Sequence, residues 1–509
     1  MSRPLDFITR RAFTRGVAAG LSLAALPQAM LGAFSDPVPN DCAPPPWKKP
    51  IGRFAPDTKI PIEPRKSAFS LTAAEAARLQ SAYDKMRQLT LTNPLDPRGW
   101  MQQAHVHCWY CGGGQNGQAG QEIHGGWWFF PWHRCYLFMH ERILGKLIGD
   151  DTLRLAYWDW NIPARAKVPP VFMPPPTQCT MMDAFRGATT GNIIPVSYVG
   201  ATAMQNALGS HGTNFFGSDP SLPNSNGGSV ENGPHGIVHV WTGQPSLQNP
   251  NGVIDMGVLA TAAQDPLFFA HHANIDRLWD VWLSMQGNAN LTAASWLTHR
   301  WTFYNENAEL VSISVADTLN HKDSLRYTYA SDTLIKEFPG LQNRQVPKAA
   351  ALHAVKPLPL ALPAGGVTLN GAPDTRQVAL SAEHSANFKA LSAGTPNQYV
   401  LHIEGVVAPP GGAPVVRVFI DKPDANAATS VEDPHFVGYF SIVPHHATGQ
   451  APANEMNHPR NYTFELRRNA EAMKEHSDAV AVTLVPVAGE NKQPDGFKLT
   501  YQKAYLAVE

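Results

Sequence analysis

The feature that most constrains this chain is the company its histidines keep. Of 20 histidines in 509 residues, the informative ones stand in three aromatic-rich runs. The first is His105-Val106-His107-Cys108-Trp109-Tyr110-Cys111, followed by His124 and by Phe129-Phe130-Pro131-Trp132-His133-Arg134. The second is Glu231-Asn232-Gly233-Pro234-His235-Gly236-Ile237-Val238-His239. The third is Asp265-Pro266-Leu267-Phe268-Phe269-Ala270-His271-His272-Ala273-Asn274-Ile275-Asp276. Apolar neighbours of this kind draw the imidazoles into a core, and burying several of them is costly unless something binds them. A fold for this chain has to solve that problem.

His235 and His239 are four apart. On a helix their Cβ atoms would lie about 5–6 Å apart, so both rings could reach one metal. The same spacing also suits two polar residues on a solvated face, although Ile237, Val238, Val240 and Trp241 make such a face a poor candidate. His271 and His272 allow either ligation or one satisfied core histidine beside one exposed one. Asp276 lies one turn beyond His272, where it could support a ligand ring or cap the helix locally. All-imidazole sites suit zinc, copper, iron or nickel. About six candidate ligands, three per ion, with no cysteine or carboxylate ligand beside them, favour a pair of coppers over a single zinc.

The rest of the chain supplies a frame. Helical periodicity predicts helices from Thr72 to Leu91, with Ser70 or Thr72 as cap, from Cys135 to Ile148, and over 266–285. Residues 34–66 are Pro-rich and read as an extended lead-in. Pro, Gly, Ser and Asn over about 163–232 read as long loops. Residues 339–375 read as a linker. Alternating runs then predict strands at Tyr399–Val406, Val415–Ile420, Phe436–Val443, Tyr462–Leu466, Ala479–Val487 and Phe497–Tyr501. The expected organisation is a mainly α catalytic domain over 34–338, the linker, and an all-β antiparallel, sandwich-like domain over 376–509. A formal net charge of -1 gives no reason to expect a nucleic-acid or membrane-surface partner. In residues 1–33, Arg10-Arg11 followed by an apolar run from Val17 to Leu26 resembles a twin-arginine export signal, which implies a periplasmic or secreted destination; a disordered basic tail is the alternative. Five cysteines are too few for a disulfide scaffold.

At the histidine runs the sequence resembles the tyrosinase and polyphenol oxidase (catechol oxidase) family, plant type. His124 through Phe129, His133-Arg134 and Leu137 to Glu141 is similar to the family's first-copper signature. Asp265-Pro266-x-Phe268-Phe269-x-x-His272-x-x-x-Asp276 is similar to its second-copper signature. Further along, Ser295-Trp296-Leu297, Phe303 to Asn307, Tyr327-Thr328-Tyr329 and the run from Val416 to His446 resemble the rest of a plant-type chain. The resemblance implies a four-helix core with a dinuclear copper site between helices. It implies His107, His124 and His133 as ligands of the first copper, and His235, His239 and His272 as ligands of the second. His271 would be a non-binding neighbour, and His105 has no counterpart role. Glu231 would hold a water that accepts a proton near the second copper, with a helix-cap carboxylate as the plainer alternative. Cys111 would form a thioether with His124, and Cys42 would pair with Cys108; Cys135 and Cys179 are left open.

The activity so implied is oxidation of o-diphenols (catechols) to o-quinones with O2, with copper doing the redox work. A haemocyanin-like reversible O2 carrier is the alternative. Two positions bear on monophenols. Gly236 lacks the side chain, commonly Asn in monophenol-active members, that would help Glu231 orient its water. Leu259 replaces a bulky Phe and should widen the entrance. The first cue carries more weight, so diphenol oxidation should dominate. The β-domain is expected to shield the copper site.

Overall fold

The computed structural model describes residues 42–509 apart from 112–121, 174–180, 184–185, 189–190, 223–224, 244–254, 286, 330–337, 339–340, 342–351, 392–396, 409–414, 445–458, 475–477 and 489–497. The twin-arginine-like segment and Cys179 lie outside the described residues.

The N-terminal body is helical. The Ala73–Thr92 helix starts with a capping box: the Thr72 hydroxyl accepts from the Glu75 N–H while the Glu75 carboxylate accepts from the Thr72 N–H, which satisfies two donors that a helix start leaves open. The Trp100–Cys111, Phe129–Ile148 and Leu267–Ser284 helices, with the short Glu231–His235 and Gly236–Thr242 helical turns, carry every candidate ligand except His124. The Phe129–Ile148 helix begins six residues before the expected Cys135. Pro131 sits in its first turn, where a missing N–H costs nothing, so the aromatic run and His133 are helical too. The stretch expected as loops holds short helices at Val196–Val199, Ala201–Gly209 and Gly212–Phe216.

The extended lead-in is tied down by strand pairing. Gly52–Arg53 pairs with Leu310–Ser314, and Glu63–Ser67 lies between Ala156–Tyr157 and Tyr327–Tyr329. A disulfide joins Cys42 to Cys108 with Cα atoms 5.8 Å apart, as the resemblance implied.

Two antiparallel four-stranded sheets form the C-terminal body. One runs in the order Arg460–Glu465, Tyr399–Val406, Lys503–Val508, Leu358–Pro359. The other runs Phe436–Phe440, Val415–Ile420, Ala479–Val487, Asp374–Ala379. The expected linker is therefore not all linker: Leu358–Pro359 and Val367–Leu369 pair into the β-body, and Leu352, Leu360 and Leu369 join its core.

Val415–Ile420 shows how the bodies are joined. Its sequence, VVRVFI, is buried throughout. Successive side chains of a strand point to opposite faces. Val416, Val418 and Ile420 pack into the sandwich core, while Val415 and Phe419 belong to the apolar core of the helical body. An antiparallel strand covered on both faces reads as a nearly continuous apolar run, broken here by the buried Arg417, rather than an alternation. Polar contacts flank the seam: the Tyr439 hydroxyl donates to the Tyr198 carbonyl, the Asn226 amide donates to the Thr463 hydroxyl at 3.0 Å, and Glu465 accepts from the His211 N–H at 2.9 Å. Among the described residues no helix is long and apolar enough to cross a membrane.

Candidate metal centre

Three elements bring the first group together. His107 comes from the Trp100–Cys111 helix, His133 from the Phe129–Ile148 helix, and His124 from the segment between. Their ring centroids are 5.2, 5.7 and 5.5 Å apart. The second group contains His235, His239, His271 and His272, and in each group the ligand-capable atoms lie within 4.8 Å of one another. The groups face each other, with the His133 and His272 rings stacked at 4.0 Å and 4°.

The ring nitrogens are set by what surrounds them. A backbone carbonyl can only accept, so each Nδ1 facing one must carry the proton and donate. His107 Nδ1 donates to the Leu259 carbonyl at 2.8 Å, His133 Nδ1 to Phe129 at 2.7 Å, His235 Nδ1 to Glu231 at 3.2 Å and His239 Nδ1 to Met256 at 2.7 Å. This leaves Nε2 with its lone pair. The Nε2 atoms of His107, His133 and His235 are buried and have no hydrogen-bond partner. The Nε2 atoms of His239 and His272 converge at 3.3 Å. Glu122 accepts from His124 Nδ1 at 3.1 Å. A proton-bearing nitrogen held by a carbonyl or carboxylate, opposite a bare lone pair, is the usual arrangement of a metal-binding imidazole. Burial first, and neighbouring histidines second, push the His107, His235 and His272 pKa values well below the ordinary value; burial pushes His239 down to about 3. These rings are neutral, as metal ligands must be.

His271 differs. Its Nδ1 accepts from the Trp160 indole N–H at 3.0 Å. His105, which had no expected role, belongs to neither group.

The other expected positions fall as follows. Glu231 is buried, its backbone carbonyl facing His235 and its carboxylate facing Gly125, next to His124; burial pushes that carboxyl up to about 8, against the Gly125 N–H that donates to Oε1 at 2.6 Å. Its Oε2 has no hydrogen-bond partner. Cys111 is buried at the end of the helix that carries His107, and Cys135 is buried in the core of the helical body.

Asp276 touches no ligand ring through its hydrogen bonds, contrary to one expectation for it. It accepts from Arg134 at 2.5 Å, Arg65 at 3.2 Å, Tyr327 at 2.5 Å and Tyr329 at 2.7 Å. Burial opposes its charge, but Arg134 and Arg65 hold its pKa at about 2. It locks helices and strands together.

Gly236 and Leu259 lie under the β-body. A Cβ added at Gly236 would stand 2.5 Å from Ser441 Oγ. The Ser441 N–H donates to the Asn232 carbonyl at 3.3 Å, and the Leu259 N–H donates to the Pro444 carbonyl at 2.9 Å. Leu259 is buried beneath that segment of the β-body.

Sequence reasoning missed Glu122, Met256, Trp160 and Ser441. Each acts through a long-range or loop contact that leaves no periodic trace.

A helical core presenting two facing groups of neutral imidazoles defines a dinuclear, all-histidine metalloprotein. Comparison with known proteins narrows the class. The common central domain of tyrosinase matches residues 97–210 and 201–285, the polyphenol oxidase middle domain 290–336, and the chloroplastic polyphenol oxidase C-terminal domain 376–501. Chloroplastic polyphenol oxidase of Malus domestica is 32% identical over 496 residues, covering 89% of this chain and 80% of that protein. The latent form from Prunus armeniaca is 33% identical, covering 92% and 79%. Among solved structures, latent aurone synthase (polyphenol oxidase) from natural source superposes with a TM-score of 0.72 at 26% identity, covering 94% of each chain. Latent apple tyrosinase superposes at 0.67 with 25% identity, covering 90% of this chain and 99% of that one.

The chain belongs to the tyrosinase and polyphenol oxidase family, and it is a phenol-oxidising enzyme. The family is one of dinuclear copper proteins, and the two histidine groups fit that metal pair. The relatives also correct one expectation. Those from apple, apricot and tomato are chloroplastic proteins, which overturns the periplasmic or secreted destination inferred from Arg10-Arg11. Because the relatives are named as oxidases, the enzyme reading stands ahead of the oxygen carrier.

Proposed function

We propose that this chain oxidises o-diphenols to o-quinones with O2 at two coppers, one held by His107, His124 and His133, the other by His235, His239 and His272. The observation that carries the reading is the pair of facing imidazole groups with bare, buried Nε2 atoms. His271 is left out because Trp160, a pure donor, occupies its Nδ1; Nε2 then bears the proton and has no lone pair to give.

Copper supplies the electron transfer between phenol and O2. The chain's own groups hold the rings, exclude water and move protons. Glu231, buried with Oε2 unpartnered, orients a water that takes the phenolic proton. A thioether between Cys111 and His124 would restrain the one ligand ring that no helix carries.

Residues 34–338 act as the catalytic domain and 376–509 as its shield, with part of 339–375 inside the shield's sheets. The segment Ser441–Pro444 covers Gly236 and Leu259, so the intact chain is expected to be partly latent. O2 uptake with mono- and diphenols, on copper-loaded protein before and after the β-body is cut away, tests the whole reading. Quinone formation that needs no copper, or one zinc per chain in the active protein, would refute it.

A further inference from the structure

We propose that His271 is a fixed hydrogen-bond donor to an anionic oxygen held at the second histidine trio, the substrate phenolate foremost, and that Trp160 sets the direction in which it donates. This rests on the copper assignment above and adds a role for a ring that the assignment leaves idle.

Three observations point to it. The Trp160 indole N–H reaches His271 Nδ1 at 3.0 Å, and both residues are fully buried. Indole nitrogen has no lone pair to offer, so Nδ1 must accept and Nε2 must carry the ring's proton. That proton has no acceptor: His271 Nε2 is buried without a hydrogen-bond partner. The ring also stands inside the site, 4.9 Å from His239 and 5.3 Å from His235 between centroids, near parallel to the latter at 19°.

A buried donor left unsatisfied costs stability, and proteins rarely keep one without a use. Here the cost falls away when an acceptor enters the site. An oxyanion bound at the second trio brings such an acceptor, and the bond becomes charge-assisted. Trp160 prevents the other tautomer, which would turn His271 into a competing ligand. His271 therefore touches the bound oxygen, and Trp160 is a positioning residue.

The test uses the intact, copper-loaded chain and reads azide affinity by optical titration of the oxidised form, together with copper per chain. Azide is an anion that ligates oxidised copper and accepts hydrogen bonds. H271F should keep two coppers and bind azide about tenfold more weakly, the effect of losing one hydrogen bond to a charged acceptor. H271Q, whose amide N–H can stand near the lost Nε2–H, should recover most of that affinity. W160F should weaken azide by a smaller, few-fold amount and have no further effect in the H271F background. Unchanged azide affinity in H271F, loss of a copper in H271F, or a W160F effect that persists when His271 is gone would each overturn the proposal. Fewer than two coppers in the unaltered chain would instead sink the assignment on which it rests.

Discussion

Replacing Gly236 by asparagine should unlatch the intact enzyme. The added Cβ would lie 2.5 Å from Ser441 Oγ and 3.5 Å from the Ser441 carbonyl, where ordinary contacts are about 3.5–4.0 Å. A single methyl can be accommodated by turning the serine hydroxyl. An asparagine amide cannot, because the Ser441 backbone is pinned by its N–H to the Asn232 carbonyl at 3.3 Å and the site is buried. Overpacking of this size costs roughly 1–3 kcal/mol. The cost falls only on the docked state, since Gly236 is relieved when the β-body lifts. At about 2 kcal/mol the docked-to-undocked ratio should fall by roughly thirtyfold. Catechol oxidation by the intact chain, followed by O2 uptake, should rise strongly in G236N, little in G236A, and fall back toward the parent level in G236N/S441G. The effect of Gly236 on monophenols has to be read separately, on protein cut between 339 and 351 and freed of the β-body, where G236N should raise monophenol relative to diphenol turnover. If G236N leaves the intact chain as latent as its parent while release of the β-body activates both, the contact with Ser441 is not what holds the shield.

H272A should lose one copper and turnover, while H271A keeps two coppers; metal analysis showing the reverse would overturn the ligand assignment. Mass spectrometry of the active, copper-matured protein should find a cross-linked peptide joining Cys111 to His124 that resists thiol reduction, and an alkylatable Cys111 would refute the link. Asp276 is held at about 2 in the folded protein against an ordinary 3.8, so it stabilises the fold above about pH 4. That contribution, roughly 2–3 kcal/mol, is lost as pH falls through 2, and Tm should drop between pH 5 and 2. D276N, which leaves Arg65 and Arg134 buried with too little counter-charge, should cost roughly 3–5 kcal/mol, removing most of that acid slope; an unchanged slope would rule the assignment out.

What could be read from the sequence followed period and motif. The Ala73–Thr92 helix announced itself through Thr72 and Glu75, and the Tyr399–Val406, Val415–Ile420 and Ala479–Val487 strands stand where alternation and turn residues put them. The histidines that meet in space were legible because their apolar neighbours left few other uses for them. Pro131 hid the first turn of its helix. Ala201–Gly209, set among Gly and Ser, looked like loop. Ser441 meets Gly236 and Trp160 meets His271 across long stretches of chain, and no local pattern encodes such meetings. Asp276 was noticed for its place after His272, yet its partners, Arg65, Tyr327 and Tyr329, come from strands that nothing in the helix foretells.

Arg134 directly follows His133, and Asp276 follows His272 by one turn. The bond between them, 2.5 Å long and out of reach of water, ties the register of one ligand-bearing helix to that of the other. Any lineage that altered the separation of the two metals would have to adjust both partners together, because either change alone leaves a buried charge with only part of its neutralisation, from Arg65 on one side or Asp280 on the other. Such double steps are rare. Evolution in proteins built this way is therefore steered away from the metal pair and toward its rim, where a change at Gly236 or Ser441 shifts how tightly the β-body sits without unbalancing a charge in the core.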